Sequence, residues 1–475
     1  MNTLNIDLSS FSPSEKETIE ANTQKFLVRS QNESWYSFGE GNFIIPHEEF
    51  LILYQNNPAF RNILLLKNKI QEILVNKDVL SYLKQQTSHF SKNDTVSENN
   101  TASQDGTTQN SPNEMTGAAF GLMLSLTSNC SLRCSYCYIS GGDEKKSMSW
   151  EIAQKATDYS VRYCLEQKIK NFSLTFHGQG EPTLNWNLLK KASEYYKKQC
   201  IEHGFVPQIM LMTNGVLSKQ KIVFLKENNV EAGISMDCSS ETLDKLRPMA
   251  NGKSLLYILN NTLKMFDELE YNFGIRATVT DLNVDEMEDF VHYLSQFKAC
   301  TSVKFEPVAM SGRAFNSTLK DDFSDRFILN FFKAKRAALR NGLTVTHAAS
   351  QLDSQRTAFC KAIGNNLNFC VSASGAVSSC YEHLKDTDDN NPFVYGKYTN
   401  GNFSISENKR LELKKKNPLA AECESCFIST TCCGDCHSKC FSKEEKNQKK
   451  CYINREIAKI DLYFLSLSKL ENPKN

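Results

Sequence analysis

Residues 121–137 read GLMLSLTSNCSLRCSYC, an apolar run over 121–126 that passes straight into a loop carrying Cys130, Cys134 and Cys137. The run has the length of one strand. Similar runs recur at 172–176, 209–212, 231–236, 274–279 and 303–308, each separated from the next by enough chain for a helix. Six strand–helix units imply a parallel sheet, because parallel neighbours need long crossovers. Asn283, standing before Val284, Met287, Phe290, Val291 and Leu294, is expected to cap one crossover helix, with Glu286 as its capping-box partner. Six units are too few to close an eight-stranded barrel, which leaves an open partial barrel or a doubly wound sheet. Either architecture places its chemistry at the carboxyl ends of the strands.

The flanks differ from this alternating core. Residues 1–90 suggest a separate α+β module: a strand or hairpin over 35–46, then short helices from the apolar pattern of 50–66 and Ile70, Ile73, Leu74, Leu80 and Leu83. Residues 91–116, including SENNTASQDGTTQNSPNE, are too polar to bury enough surface to offset their ordering entropy and read as a flexible linker. The barrel unit is expected over 117–320, a helical bridge over 321–359 and a cysteine-rich unit over 360–475. With 55 basic and 54 acidic side chains the net charge is +1, which excludes bulk attraction to nucleic acid or anionic membrane. Lys409, Arg410, Lys414, Lys415 and Lys416 read as a solvated helix face. The first residues lack the form of a secretory signal and no apolar run reaches membrane-spanning length, so a cytoplasmic setting is expected.

In a reducing compartment dense cysteines point to metal rather than to disulfides. The chain has 17, ten of them from Cys360 to Cys451. A C-x3-C-x2-C triplet would arise by chance only about 0.02 times in such a chain. Three thiolates this close can hold three irons of a cubane cluster and leave the fourth open, as a catalytic site requires. Zinc is the competing reading, weakened by the lack of a histidine in the loop.

A C-x3-C-x-aromatic-C loop after the first of six βα units resembles the radical S-adenosylmethionine (SAM) superfamily. The resemblance implies a partial (β/α)6 TIM-like barrel whose open iron chelates SAM. Reductive cleavage of SAM then yields a 5′-deoxyadenosyl radical that abstracts a hydrogen atom from the substrate. It places Tyr136 near the adenine, and matches Gly178, Gln179, Gly180, Glu181 and Pro182 to the family's GGEP loop around the SAM ammonium, with Gln179 departing from the usual glycine. Asn214, Ser235, Asp237 and Arg276 match further SAM-proximal positions.

The C-terminal spacing, Cys360-x9-Cys370-x4-Gly375-x4-Cys380 followed by Cys423-x2-Cys426-x5-Cys432-x3-Cys436 and Cys451, resembles a SPASM domain with two auxiliary [4Fe–4S] clusters. Carried over, Cys360, Cys380 and Cys436 with Cys370 would hold the first. Cys423, Cys426, Cys432 and Cys451 would hold the second, with Cys440 competing for the last place. Three [4Fe–4S] clusters and SAM are thus the implied cofactors, with a flavodoxin- or ferredoxin-type reductant.

Within this group a maturase of a ribosomally synthesised peptide, forming a thioether or carbon–carbon crosslink, is expected ahead of a sulfatase-maturing enzyme. Sulfatase-maturing relatives place an aspartate directly after the Gly-x4-Cys cysteine, where this chain has Tyr381. The N-terminal module would suit leader-peptide recognition by strand addition. Glu382, His383 and His177 are the candidate acid–base groups. A non-catalytic iron–sulfur carrier is the reading from another class. Cys164, Cys200, Cys238 and Cys300 are expected to be buried hydrophobes.

Overall fold

Burial alternates along most of the central strands, and this alternation decides which side of the sheet meets helices. The computed structural model describes residues 35–37, 44–46, 119–349, 358–364, 367–384, 391–416, 423, 426, 428–440 and 448–471. Strands β1 (Trp35–Ser37) and β2 (Ile44–Pro46) form an antiparallel pair, so strand structure expected within 35–46 is present. The remainder of the module expected over 1–90, and the linker at 91–116, lie outside the described residues.

The six expected strands are β3 (Ala119–Leu124), β4 (Asn171–Phe176), β5 (Ile209–Thr213), β6 (Val230–Ser235), β7 (Phe273–Val279) and β8 (Cys300–Pro307). They neighbour one another in chain order, every pair parallel. A doubly wound sheet reverses its strand order at a switch point; this one does not, which selects the partial barrel. Leu122, Leu174, Phe176, Leu211, Ile234, Val303 and Phe305 are wholly buried on the helix-covered side. Each such side chain contributes about 1.5–3 kcal/mol by leaving water. The opposite face carries Met123, Thr175, His177, Met212, Ser235, Arg276 and Lys304, all half-buried. A polar, partly open concave wall is therefore built into the register.

The crossover helices are α1 (Trp150–Glu166), α2 (Trp186–Glu202), α3 (Lys219–Glu227), α4 (Leu255–Glu268), α5 (Met287–Leu294) and α6 (Ser324–Arg340). In α1, Ala153, Ala156, Thr157, Ser160, Val161 and Cys164 are buried at the helical period, and the Ser149 hydroxyl caps the start by accepting from the Ile152 N–H. Ser218 and Ser254 cap α3 and α4 in the same way. Asn283 does not cap α5. Its buried amide donates to the Asp237 and Thr278 carbonyls and accepts from Thr280, while Glu286 accepts from the Ser240 and Thr242 hydroxyls. Strand-end carbonyls left without partners captured the side chain that local pattern assigns to the cap.

The sheet extends beyond six strands. After α6, within the expected helical bridge, β9 (Thr344–Thr346) adds in parallel to β8. On the opposite edge β10 (Phe369–Val371) adds in parallel to β3 and leads an antiparallel run of β11 (Ala376–Ser378), β12 (Val394–Thr399) and β13 (Asn402–Ile405). Phe369, Val371, Val377, Phe393 and Tyr395 join the same apolar core as the barrel. The boundary expected at residue 360 is thus not a break in sheet or core. Strands of three residues are too short to show a period.

Helix α7 (Glu407–Lys415) carries Lys409, Arg410, Lys414 and Lys415, but not as one solvated face: Arg410 packs 5.2 Å from the Tyr163 ring centroid and Lys416 lies beyond the helix end in extended backbone; α8 (Gln448–Glu471) ends the described chain. Cys164, Cys200, Cys238 and Cys300 are buried as expected. Among the described residues no helix is long and apolar enough to cross a membrane.

Candidate active site

The loop leaving β3 is held from three sides. Residues 246–250, following the short helix Thr242–Leu246, pair with it: Arg133 N donates to Pro248 O at 2.8 Å, Ser135 N to Leu246 O at 2.9 Å and Ala250 N to Ser131 O at 2.9 Å. Arg313 N, from the loop after β8, donates to Cys137 O at 3.0 Å. Within the loop Arg133 donates to the carbonyls of Cys130, Leu132 and Gly142.

Cys130, Cys134 and Cys137 lie within electrostatic reach of one another, and each sulfur faces an N–H donor. Leu132 N stands 3.5 Å and Asn214 Nδ2 4.0 Å from Cys130 Sγ, Arg247 Nη1 3.9 Å from Cys134 Sγ, and Gly141 N 3.3 Å from Cys137 Sγ. Burial pushes the Cys130 thiol up to about 11 and the Cys134 thiol up to about 12. Metal binding must therefore displace protons. Three soft sulfurs ringed by N–H donors and by Arg133, Arg247 and Arg313 suit an anionic iron–sulfur cluster with one iron left open. Among the described residues no three His, Cys, Asp or Glu side chains are arranged to hold a single metal ion.

The 178–182 loop after β4 wraps this group. Gly178 has φ +128°, and a Cβ on Gly180 would stand 2.3 Å from Asn129 O and 2.7 Å from Thr127 O, so the two loops meet backbone to backbone. Glu181 is buried at 3% exposure and accepts from Thr183 N, Thr183 Oγ1, Thr213 Oγ1 and Asn214 N at 2.7–3.1 Å. Burial still raises its carboxyl above the usual range. Three of these bonds fall on Oε1 and one on Oε2, which leaves Oε2 capacity to accept from a cation. Asn214, besides facing Cys130, donates to Ser131 Oγ at 3.1 Å.

Other expected site residues are placed differently. The Gln179 side chain is a buried tie: Oε1 accepts from Ala373 N at 3.0 Å and Nε2 donates to Leu384 O at 3.1 Å, joining the loop to the segment around Cys380. The buried Asp237 carboxylate is likewise committed, to Arg247 Nε at 2.8 Å and Nη2 at 3.0 Å, to Thr278 N at 2.9 Å and to the Tyr136 hydroxyl. A carboxylate buried this deeply needs a counter-ion, and Arg247 is that ion. The guanidinium also stands over the Tyr136 ring, 5.3 Å from its centroid. Ser235 pairs in register with Arg276 on the concave wall. Arg276 reaches Met212 Sδ at 3.8 Å and the electrostatic neighbourhood of His177 and Tyr381.

The His383 ring is hydrogen-bonded at both nitrogens. Asn391 Nδ2 lies 2.9 Å from its Nδ1 and Ser438 Oγ 2.9 Å from its Nε2, while Ser438 Oγ donates to Glu382 Oε2 at 2.9 Å. Asn391 Oδ1 accepts from Phe393 N, so the amide nitrogen faces the ring and the Nε2–H tautomer completes the chain. His177 packs 4.9 Å from the Tyr381 ring. Burial first, then the Arg276 charge, holds its imidazole down at about 3, so it is neutral near pH 7.

Cys360, Cys370, Cys380 and Cys436 form a second group within electrostatic reach. In register Cys370 lies opposite Met123 and shares a small apolar cluster with Cys137, Tyr138, Ile139, Tyr381 and Leu384. The two cysteine groups therefore adjoin at the carboxyl end of β3. A third group brings Cys426 and Cys432 near Cys451 on α8. The Cys440 side chain lies outside the described residues. Arg247, Arg313 and the 246–250 segment escaped the sequence reading, because sequence separations above 100 residues leave no local signal.

Residues 124–294 match the radical SAM superfamily model. An uncharacterized protein of Methanocaldococcus jannaschii is 36% identical over 189 residues, 39% of this chain and 61% of that one. A cysteine-type anaerobic sulfatase-maturating enzyme of Clostridium novyi is 28% identical over 171 residues, 34% of this chain and 45% of that one. The match thus spans about half the length of these curated relatives. Among solved structures, native anSMEcpe with bound AdoMet superposes with a TM-score of 0.59 at 20% identity, over 75% of this chain and all of that one. Streptococcus suis SuiB bound to precursor peptide SuiA superposes with a TM-score of 0.50 at 13% identity, over 86% and 88%. With its cysteine loop, its 178–182 loop and its chain-ordered parallel strands, the segment 124–294 is a radical SAM domain, and the chain shares the fold of anSMEcpe and SuiB.

Proposed function

We propose that this chain modifies a ribosomally synthesised peptide by hydrogen-atom abstraction and joins the resulting centre in a thioether or carbon–carbon crosslink. Cys130, Cys134 and Cys137 would hold the SAM-binding [4Fe–4S] cluster. Cys360, Cys370, Cys380 and Cys436 would hold a first auxiliary cluster, and Cys423, Cys426, Cys432 and Cys451 a second. When bound, cluster and SAM supply the hydrogen-abstracting radical. The chain's own residues do the rest. Glu181 Oε2 would accept from the SAM ammonium, Ser235 and Arg276 on the concave wall would lie beside SAM, and the peptide would enter past His177 between the first two cysteine groups.

The observation that carries the crosslinking reading is Tyr381. The side chain directly after Cys380 is a phenol packed 4.9 Å from a neutral His177 and 6.0 Å from Tyr138. Burial raises that phenol far above its usual range, so it does not act as a base near pH 7. An outcome that needs no base at this position suits such a wall: two substrate atoms join as one hydrogen atom leaves to the radical and the other leaves as a proton to solvent, its electron passing to an auxiliary cluster. SuiB offers a precedent for a precursor peptide on this fold.

A second reading, oxidation of a Cys or Ser to formylglycine, is favoured by the likeness to the Clostridium novyi enzyme. Reconstituted protein with SAM and dithionite, offered a small peptide encoded beside its gene and, separately, a sulfatase peptide, distinguishes the two by mass spectrometry. Crosslinking predicts loss of two hydrogens in the first peptide. Formylglycine in the second, with the first unchanged, overturns the proposal. The β1–β2 pair is the candidate edge for leader addition, tested by deleting residues 1–90 and measuring peptide affinity.

A further inference from the structure

Arg247 is placed on the protein's most deliberate support for the cysteine loop. The segment that carries it pairs with the loop through backbone bonds at residues 131, 133 and 135, and Leu132 and Met249 form an antiparallel bridge within that pairing. Its guanidinium is divided between two partners. Nε and Nη2 grip the Asp237 carboxylate in a bidentate pair, while Nη1 faces the Cys134 sulfur at 3.9 Å. The pair is almost wholly out of water, with side-chain exposures of 9% for Arg247 and 0% for Asp237. The Tyr136 hydroxyl donates to the same carboxylate, which locks the aromatic residue between Cys134 and Cys137 to the charge pair.

We propose that Arg247 is a positioning residue that sets the reduction potential of the cluster held by the cysteine loop, its buried positive charge acting on the Cys134 thiolate and Asp237 attenuating that charge. The inference rests on the reading of Cys134 as a cluster ligand. On reduction the cluster gains one electron from the external reductant, and no bond forms or breaks at Arg247. A nearby cation favours the more negative, reduced form, and little water is present to screen it. A neutral side chain at 247 should make reduction harder. Neutralising Asp237, which leaves the cation uncompensated, should make it easier. A merely structural arginine would not produce opposite signs in the two variants.

The test is an EPR-monitored redox titration of reconstituted holoenzyme, following the cluster signal that SAM perturbs. In R247M the ratio of reduced to oxidised cluster at fixed poise should fall about tenfold, a midpoint ~59 mV more negative for a one-electron couple. In D237N it should rise severalfold. An unmoved midpoint in both variants at full signal intensity overturns the proposal. Should R247M fail to assemble, D237N decides: a rise supports the proposal, and no change or a fall sinks it. C134A separates the two readings. Loss of the SAM-perturbed signal there upholds the ligand assignment, whereas survival of that signal removes it, and the proposal with it.

Discussion

Replacing Gln179 by Met tests whether the 178–182 loop is bolted to the segment around Cys380. Met keeps the chain length and most of the volume but can neither donate to Leu384 O nor accept from Ala373 N. Both residues are buried, Leu384 completely, so water does not replace the lost partner. Each orphaned backbone group costs about 1–3 kcal/mol, which gives roughly 2–6 kcal/mol for the substitution. The Gln179 N–H keeps its bond to Ser125 Oγ at 2.9 Å, so the loop's backbone is not the part that fails. Hydrogen exchange by mass spectrometry on the holoenzyme reads the effect locally. A loss of ~2 kcal/mol accelerates exchange in peptides covering 367–384 by about thirtyfold if they open locally. Gln179→Glu sharpens the test, because its second oxygen would face the Leu384 carbonyl, acceptor against acceptor. That variant should be worse than Met near pH 7. It should recover as pH falls, since a protonated carboxyl can donate to Leu384 O; a group bonded in its neutral form has a raised folded pKa, so its penalty shrinks as pH falls below that value and is gone below the unfolded one. Exchange in 367–384 unchanged by Gln179→Met would refute the tie.

Gly180→Ala should prevent the two loops from closing, since the new methyl would meet the Asn129 and Thr127 carbonyls at 2.3 and 2.7 Å. About 1–3 kcal/mol of overpacking and a large loss of SAM affinity by equilibrium dialysis are expected. His177→Gln should flatten the acid side of the stability curve. The folded imidazole lies near 3 against an unfolded value of 6.5, so its contribution is complete above 6.5 and is lost as pH falls from there toward 3. Urea midpoints of parent and variant from pH 7 to pH 4 check this, and parallel curves would contradict it. Cys134→Ala should abolish SAM cleavage to 5′-deoxyadenosine while most of the iron at the other cysteine groups remains. Iron analysis beside chromatography tests both halves. Ser438→Ala should release His383 Nε2 and cost about 0.5–1.5 kcal/mol, read as a shifted urea midpoint.

Much of the fold was legible in order. The six apolar runs became β3 to β8, because each strand keeps apolar residues on its helix-covered face and each crossover is long enough for a helix. What escaped notice was short or distant. β9 and β10 have three residues each, and β10 joins an edge of β3 that lies 247 residues away in the chain, Phe369 opposite Leu122. At the site, the cysteine triplet and the 178–182 loop were visible because each is a local spacing with a chemical purpose. The motif positions of Gln179, Asp237 and His383 are local, whereas the buried backbone and charged partners of their side chains are visible only once the surroundings exist.

Sequence alone thus determined which atoms could do chemistry: three thiols in one turn of loop, eight more at set spacings, and a glutamate on a glycine-rich loop. Tertiary structure decided which of the remaining polar groups are spent. A buried donor or acceptor must find a partner wherever the fold provides one, and for Arg247 that partner set, Asp237 and the Cys134 sulfur, is assembled from residues 10 and 113 positions away.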